Sequence, residues 1–169
     1  YHSAKNLYQA RVNFGNVLKD AVAGRELVRA VAYVIRTESG EERAFFEALE
    51  KLGIETKVKD LQIFFDGSKK ADWDVGIAVD IIKIAPRLDT VIIASGDGDF
   101  VPLVEYLKGN HNQQVEVVAF GKSTSQRLRE SVDDFLDLCA KPDRYVLGRG
   151  RRGRRRGGAG VSTAAAPAA

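Results

Sequence analysis

A short apolar run, followed directly by a segment with two glycines and two aspartates, limits the fold of this chain more than any other feature. Residues 91–94 (VIIA) are apolar throughout, and SGDGD follows at 95–99 before another apolar segment begins. A strand that is apolar on both faces is typical of a parallel sheet with helices on both sides. Glycines at its end allow a tight turn. The stretch therefore predicts a strand, a turn and a helix, with carboxylates at the carboxyl edge of a sheet.

The rest of the chain alternates strand-like and helix-like segments. Helices are expected over residues 3–23, 41–52, 74–84, 100–108 and 123–129, and strands over residues 27–35, 55–58, 90–94 and 114–119, with a polar loop at 69–73. This alternation is typical of βαβ units. We therefore predict an α/β fold, a three-layer α/β/α sandwich with a mostly parallel sheet of about four to five strands.

Charge is distributed unevenly along the sequence. Six arginines fall between positions 149 and 156, and without them the 26 basic residues become 20 against 23 acidic ones, so the net charge changes from +3 to −3. The segment around them is rich in Gly, Arg and Ala and cannot bury a core. We predict a folded domain over residues 1–147 and a disordered basic tail over residues 148–169.

Composition argues against several classes of protein. No apolar run approaches the roughly 20 residues that cross a bilayer, and the single cysteine, Cys139, excludes an internal disulfide. With only His2 and His111 beside it, a zinc site is not expected. The GKS at 121–123 lacks the first glycine of a P-loop, because Glu116 stands there. These features favour a cytoplasmic protein that spans no membrane, and they give no support to hydrolysis of nucleoside triphosphates.

Two aspartates stand where ligands bind in parallel sheets. Asp99 immediately precedes the predicted helix, where it is suited to cap the helix, to serve a site, or to do both. Asp97 has no capping position to fill, which favours a functional role.

Helix 74–84 carries a third candidate. Its predicted apolar face consists of Val75, Ile77, Ala78, Ile81, Ile82 and Ala85. Asp74 lies at the centre of that face, where a carboxylate is costly without a partner. An outward-facing acid would complement the helix dipole equally well, so the inward direction favours function. Asp80 lies on the opposite face and is expected at the solvated surface. Clustered carboxylates without histidine suit Mg²⁺ or Mn²⁺ and the hydrolysis of phosphodiesters.

These residues lie in stretches that resemble a known family. VIIASGDGDFVPLVEYLKG, VEVVAFG, SQRLRESVDDFLDL and KKADWDVGIAVDII are similar to the NYN domain of the LabA-like (DUF88) group, in the PIN-like nuclease superfamily. The resemblance extends over residues 1–140. It implies a PIN-like (Rossmannoid) fold and a metal-dependent ribonuclease site at Asp74, Asp97 and Asp99, with Asp80 as a weaker match.

The beginning of the chain departs from that family. NYN domains open with an apolar strand ending in Asp-x-x-Asn, whereas Tyr1–Leu7 resembles the helix that follows this motif. We therefore expect an N-terminally truncated domain that lacks one strand and one metal ligand and binds metal poorly by itself. The resemblance implies an Mg²⁺- or Mn²⁺-dependent endoribonuclease when that strand is present.

Further residues are candidates for contact with single-stranded RNA. An RGG-like segment can follow phosphates and stack on bases. The candidate residues are Lys70, Ser95, Ser123, Arg149, Arg151, Arg152, Arg154, Arg155 and Arg156. Alternatively, the tail only solubilises the chain, Lys70 is surface charge and Ser123 is an ordinary N-cap. The alternative function is a non-catalytic RNA-binding or regulatory module of the same fold.

Overall fold

The computed structural model describes residues 2–36, 43–60, 62–63, 69–70 and 73–148. The helices are α1 (His2–Tyr8), α2 (Phe14–Val22), α3 (Arg43–Lys51), α4 (Asp74–Ile84), α5 (Val101–His111), α6 (Gln126–Ser131) and α7 (Pro142–Tyr145). The strands are β1 (Arg11–Val12), β2 (Val31–Arg36), β3 (Glu55–Asp60), β4 (Gln62–Ile63), β5 (Lys69–Lys70), β6 (Thr90–Ile93), β7 (Gln114–Ala119), β8 (Asp134–Asp137) and β9 (Val146–Leu147). Single 3₁₀ turns occur at Ala85–Arg87, Gly98–Phe100 and Gly121–Ser123.

Five of these strands run parallel, in two hydrogen-bonded groups. β6, β7 and β8 form one sheet in that order, and β2 pairs with β3 in the other. Among the residues that the structure describes, no strand pairing joins the two groups. The remaining strands form two short antiparallel pairs, β1 with β9 and β4 with β5. The predicted α/β fold with mostly parallel strands is confirmed.

The strands β6 and β7 carry apolar residues on both faces because helices cover both faces; a buried exception is Glu116 of β7, which is ion-paired with Arg25. Val117 belongs to a core cluster that includes residues of α5 and α6, whereas its neighbour Val118 belongs to a second cluster with residues of α1 and α7. Val91 and Ile93 face the first cluster, and Ile92 packs against the second. Alternation along each strand therefore fills two cores, as expected for a covered parallel sheet.

The N-terminal segment differs from its prediction. The helix expected over residues 3–23 is two helices separated by β1. The Asn13 side chain accepts a hydrogen bond from the Asn16 N–H at 3.1 Å and so caps α2, while the Asn13 N–H donates to the Tyr145 carbonyl at 2.7 Å. Pairing of β1 with β9 near the other end of the chain interrupts the helix, and local periodicity contains no signal for such a distant partner.

Other elements agree with the sequence to different degrees. Helix α4 and strand β7 have the bounds that the sequence predicts. The polar loop expected at 69–73 is wrong at its start, because Lys69–Lys70 pairs with β4. Strand β8, helix α7 and strand β9 were not predicted, and the predicted tail lies outside the described residues from position 149 onward.

Candidate metal centre

Three carboxylates meet beyond the carboxyl end of β6. Asp74 is the first residue of α4 and is half-buried, whereas Asp97 and Asp99 are exposed in the segment that follows β6. One carboxylate oxygen from each residue lies within 4.8 Å of the other two. The structure thus brings together the three aspartates to which the sequence pointed, from two separate stretches of the chain.

The spacing and chemistry of these oxygens fit a hard divalent cation. Mg²⁺ holds its ligands at about 2.0–2.1 Å, so two ligands on opposite sides of the ion are roughly 4.2 Å apart. Oxygens within 4.8 Å need only small side-chain rotations, or an intervening water, to share one ion. Carboxylate ligands suit both Mg²⁺ and Mn²⁺, so these oxygens fit a divalent metal ion but do not distinguish between the two.

Asp97, and not Asp99, caps the helical turn after the loop. Asp97 is the N-cap of Gly98–Phe100, and its Oδ1 accepts a hydrogen bond from the Asp99 N–H at 3.0 Å. The expectation that Asp97 has no capping role is therefore wrong, because the chain enters α5 through a 3₁₀ turn that begins earlier than the predicted helix. A carboxylate has two oxygens and several acceptor positions. The cap holds the carboxylate of Asp97 in place and is compatible with metal ligation.

The two glycines of SGDGD allow a second loop to pack against the first. A Cβ on Gly96 would lie 2.9 Å from the Ser123 carbonyl oxygen, and one on Gly98 would lie 2.8 Å from Ser125 Oγ. The Ser125 N–H also donates to the Gly96 carbonyl at 2.9 Å. The loop after β6 is therefore fixed by residues 121–125, which follow β7. This close approach explains why glycines alternate with the aspartates.

Asp137 in turn fixes that second loop, and sequence reasoning did not single it out. Its Oδ1 accepts hydrogen bonds from the Gly121 and Cys139 N–H groups, both at 2.8 Å. Burial raises the pKa of Asp137, but these two N–H donors, together with the Cys139 side chain and the charge of Arg129, hold the pKa below its ordinary value. A Cβ on Gly121 would lie 2.5 Å from Asp137 Oδ2, so a larger residue there would displace the Asp137 carboxylate from its two N–H donors. The position of Asp137 as the last residue of β8 was the feature of the sequence that could have identified it.

Helix α4 is attached to β2 at the end that carries Asp74. The Trp73 indole Nε1–H donates to the Val34 carbonyl at 3.1 Å, and the indole ring meets the Tyr33 ring edge-on at 5.3 Å. A Cβ on Gly76 would lie 2.8 Å from Trp73 Cε3, so the glycine makes room for the indole. These contacts set the position of the first turn of α4 and therefore of Asp74.

Asp80 provides a second attachment of α4, contrary to the expectation that it is solvated surface. Its Oδ2 accepts hydrogen bonds from Lys57 Nζ at 2.5 Å and from the Tyr33 hydroxyl at 2.8 Å, and its side chain is 23% exposed. Lys57 and Tyr33 hold the pKa of Asp80 below its usual range. The prediction failed because Tyr33 of β2 and Lys57 of β3 both reach this side of α4 and bond to Asp80. Asp80 therefore supports the position of the helix and is not one of the three clustered carboxylates.

The remaining predicted residues are distributed as follows. Ser95 lies in the loop, and its Oγ accepts a hydrogen bond from the Asp97 N–H at 3.2 Å. Ser123 is exposed, and its hydroxyl donates to the Phe120 carbonyl at 3.2 Å. The N-cap of α6 is Ser125, so the expectation that Ser123 begins this helix is wrong. Lys70 lies in β5, with its side chain outside the described part, and the six arginines at 149–156 lie outside the described residues.

Fold and site together define a class: an α/β domain with mostly parallel strands and carboxylates grouped beyond the carboxyl end of one of them. The chain belongs to the NYN domain family, whose model matches residues 1–139. The resemblance seen in the sequence is thereby confirmed. The PIN-like superfamily, to which this family belongs, consists generally of nucleases, typically dependent on divalent metals.

Two relatives support this assignment. The chain is 30% identical over 119 residues to the "Low amplitude and bright protein LabA" of Synechococcus elongatus, and the match covers 67% of this chain and 63% of LabA. The chain thus spans less than two thirds of the length of that relative. A crystal structure of a protein of unknown function from Vibrio parahaemolyticus superposes with a TM-score of 0.76 at 37% identity, over 87% of this chain and 89% of the other. Within the described residues, no helix has the length and apolarity to cross a membrane.

Proposed function

We propose that this protein, when the apolar strand ending in Asp-x-x-Asn precedes residue 1, is a divalent-metal-dependent endoribonuclease that hydrolyses phosphodiester bonds of single-stranded RNA at Asp74, Asp97 and Asp99. The observation that carries the proposal is the approach of the three carboxylates within 4.8 Å, in a chain of the NYN domain family. Membership of the superfamily indicates the type of reaction, and the cluster of Asp74, Asp97 and Asp99 indicates where on this chain the reaction would occur.

The chemistry divides between the ion and the protein. A divalent ion held by Asp74, Asp97 and Asp99 would lower the pKa of a bound water and offset the charge that builds on the phosphate. The protein holds the ligand oxygens in fixed positions: the cap orients Asp97, and the attachments of α4 position Asp74. Because three carboxylates repel a phosphate, RNA should engage this cluster only when a cation is bound.

The test compares two aspartates at opposite ends of the same strand. Asp97→Asn removes one ligand charge but keeps the Oδ1 that caps the turn, so folding should survive. Asp89→Asn is the matched control, because Asp89 is exposed and precedes the amino end of β6. Cleavage of single-stranded RNA in Mg²⁺ or Mn²⁺ should fall about 100- to 1,000-fold in Asp97→Asn, the scale of losing one electrostatic group from an active site. Asp89→Asn should cleave like the unaltered protein.

EDTA and RNA binding separate the outcomes. Cleavage that persists in EDTA, or in Asp97→Asn, would show a contaminating nuclease or a mechanism that does not use this cluster. Absence of cleavage with either metal, together with retained RNA binding, would favour the alternative of a binding module that does not cut.

A further inference from the structure

The Ser125 side chain lies against Gly98, the residue between two of the three clustered aspartates, and makes no cap bond to its own helix. A Cβ on Gly98 would lie 2.8 Å from Ser125 Oγ and 3.1 Å from Ser125 Cβ. Gly98 stands between Asp97 and Asp99 in the chain, so Ser125 packs against the segment that carries two of the three aspartates. Ser125 itself comes from a different loop, the one that follows β7.

The backbone of Ser125 is fixed, while its hydroxyl makes no cap. Its N–H donates to the Gly96 carbonyl at 2.9 Å, and its carbonyl accepts from the Arg129 N–H at 3.1 Å. A serine at an N-cap ordinarily accepts a hydrogen bond from the first turn of its helix, but Ser125 makes no side-chain cap bond to α6. The neighbouring hydroxyls of Ser123 and Thr124 are both directed to the Phe120 carbonyl.

A neutral donor at this place complements what the carboxylates lack. Ionised carboxylates only accept hydrogen bonds, whereas a phosphate group needs donors for those oxygens that no cation takes. We infer that the Ser125 hydroxyl donates a hydrogen bond to a non-bridging oxygen of the RNA phosphate bound at the cluster. Ser125 is then a positioning residue for RNA and not a metal ligand. This role rests on the proposed function, because it requires a phosphate at the cluster.

The experiment measures metal and RNA binding separately in the full chain. Mn²⁺ affinity is measured by calorimetry. Affinity for a single-stranded RNA oligonucleotide is measured by fluorescence anisotropy in Ca²⁺, with a gel to verify that the RNA stays intact. The variants are Ser125→Ala and Ser125→Thr, which retains a hydroxyl. Ser131→Ala is the matched control, because the Ser131 hydroxyl donates to the Leu128 carbonyl at the other end of α6.

Ser125→Ala should bind RNA about 10- to 100-fold more weakly, the range for one hydrogen bond to a charged group. Its Mn²⁺ affinity and melting temperature should stay those of the unaltered protein. Ser125→Thr should recover most of the RNA affinity, and Ser131→Ala should lose none.

Four results would overturn the assignment of Ser125. They are an unchanged RNA affinity in Ser125→Ala, an equal loss in Ser131→Ala, a loss that threonine does not restore, and a parallel fall in Mn²⁺ affinity. Measurements on Asp97→Asn distinguish a failure of the role assigned to Ser125 from a failure of the proposed function. If Asp97→Asn leaves Mn²⁺ affinity and cleavage intact, the metal site itself is refuted. If it abolishes both while Ser125→Ala behaves as the unaltered protein, only the role of Ser125 is refuted.

Discussion

Replacing Gly96 with alanine should force apart the two loops that build the site. The new Cβ would lie 2.9 Å from the Ser123 carbonyl oxygen, 2.9 Å from Thr124 Oγ1 and 3.0 Å from Thr124 Cα. Two of these three atoms belong to the backbone, so a side-chain rotation cannot relieve the overlap. Gly96 does not have a left-handed backbone conformation, so the cost comes from contact alone. Overpacking of this kind typically costs about 1–3 kcal/mol of the free energy of unfolding.

For a chain of this size each kcal/mol lowers the melting temperature by about 2–4 °C, so Gly96→Ala should melt roughly 2–12 °C lower. Gly109→Ala is the matched control: Gly109 lies in α5 with nothing within 4 Å of the added Cβ. That change should stabilise the protein by about 0.5–1 kcal/mol, through helix propensity. Thermal melting monitored by circular dichroism measures both. The Mn²⁺ affinity of Gly96→Ala should fall as well, because the displaced loop carries Asp97. A Gly96→Ala protein with unchanged melting temperature and Mn²⁺ affinity would refute the interlocked loops.

Two further predictions concern α4 and the basic tail. Asp80→Asn should destabilise the fold at neutral pH and progressively less as the pH falls. The pKa of Asp80 is lower in the folded state, so its charge stabilises the fold at pH values above the unfolded pKa of about 4, and this stability is lost as the folded carboxylate protonates. If urea unfolding showed the same loss of unfolding free energy in Asp80→Asn at pH 7 and at pH 3, this reasoning would be contradicted. Removing residues 149–169 should weaken RNA binding and flatten its dependence on salt, because fewer neutralised phosphates release counterions. Unchanged affinity at every salt concentration would exclude a role for Arg149–Arg156.

Local sequence signals were sufficient where one element is governed by its own residues. The bounds of α4 follow from its periodicity and from the proline that ends it, and the apolar composition of β7 follows from burial on both faces. The grouping of Asp74 with Asp97 could be predicted from the sequence, because the carboxyl ends of parallel strands and the first turn of a covering helix meet at the same edge of the sheet.

The sequence was insufficient where contacts come from distant segments. The apolar face assigned to α4 included Val75 and Ile82, which are 75% and 38% exposed. It assigned Asp80 to solvent because the pairing with Lys57 and Tyr33 depends on where β2 and β3 lie. The cap formed by Asp97 was missed because a 3₁₀ turn shifts the start of the helix. The partners of Asp80 are remote in sequence, so neither periodicity nor spacing contains them. The partner of Asp97 is local, the Asp99 N–H, and it was missed because the type of turn was not recognised.

Helix α4 connects the two groups of parallel strands and thereby determines the geometry of the acidic cluster. On one side Ile77, Ala78 and Ile81 pack against the core formed on β6 and β7. On the other side Trp73 and Asp80 bond to β2 and β3. Asp74 lies at the end of this helix, while Asp97 and Asp99 belong to the loop after β6. The distance between Asp74 and the other two carboxylates therefore depends on how both faces of α4 are packed. Since ligand oxygens must meet within a few tenths of an ångström to share an ion, residues outside the acidic cluster, Trp73 and Asp80 among them, control whether the three aspartates are able to hold one.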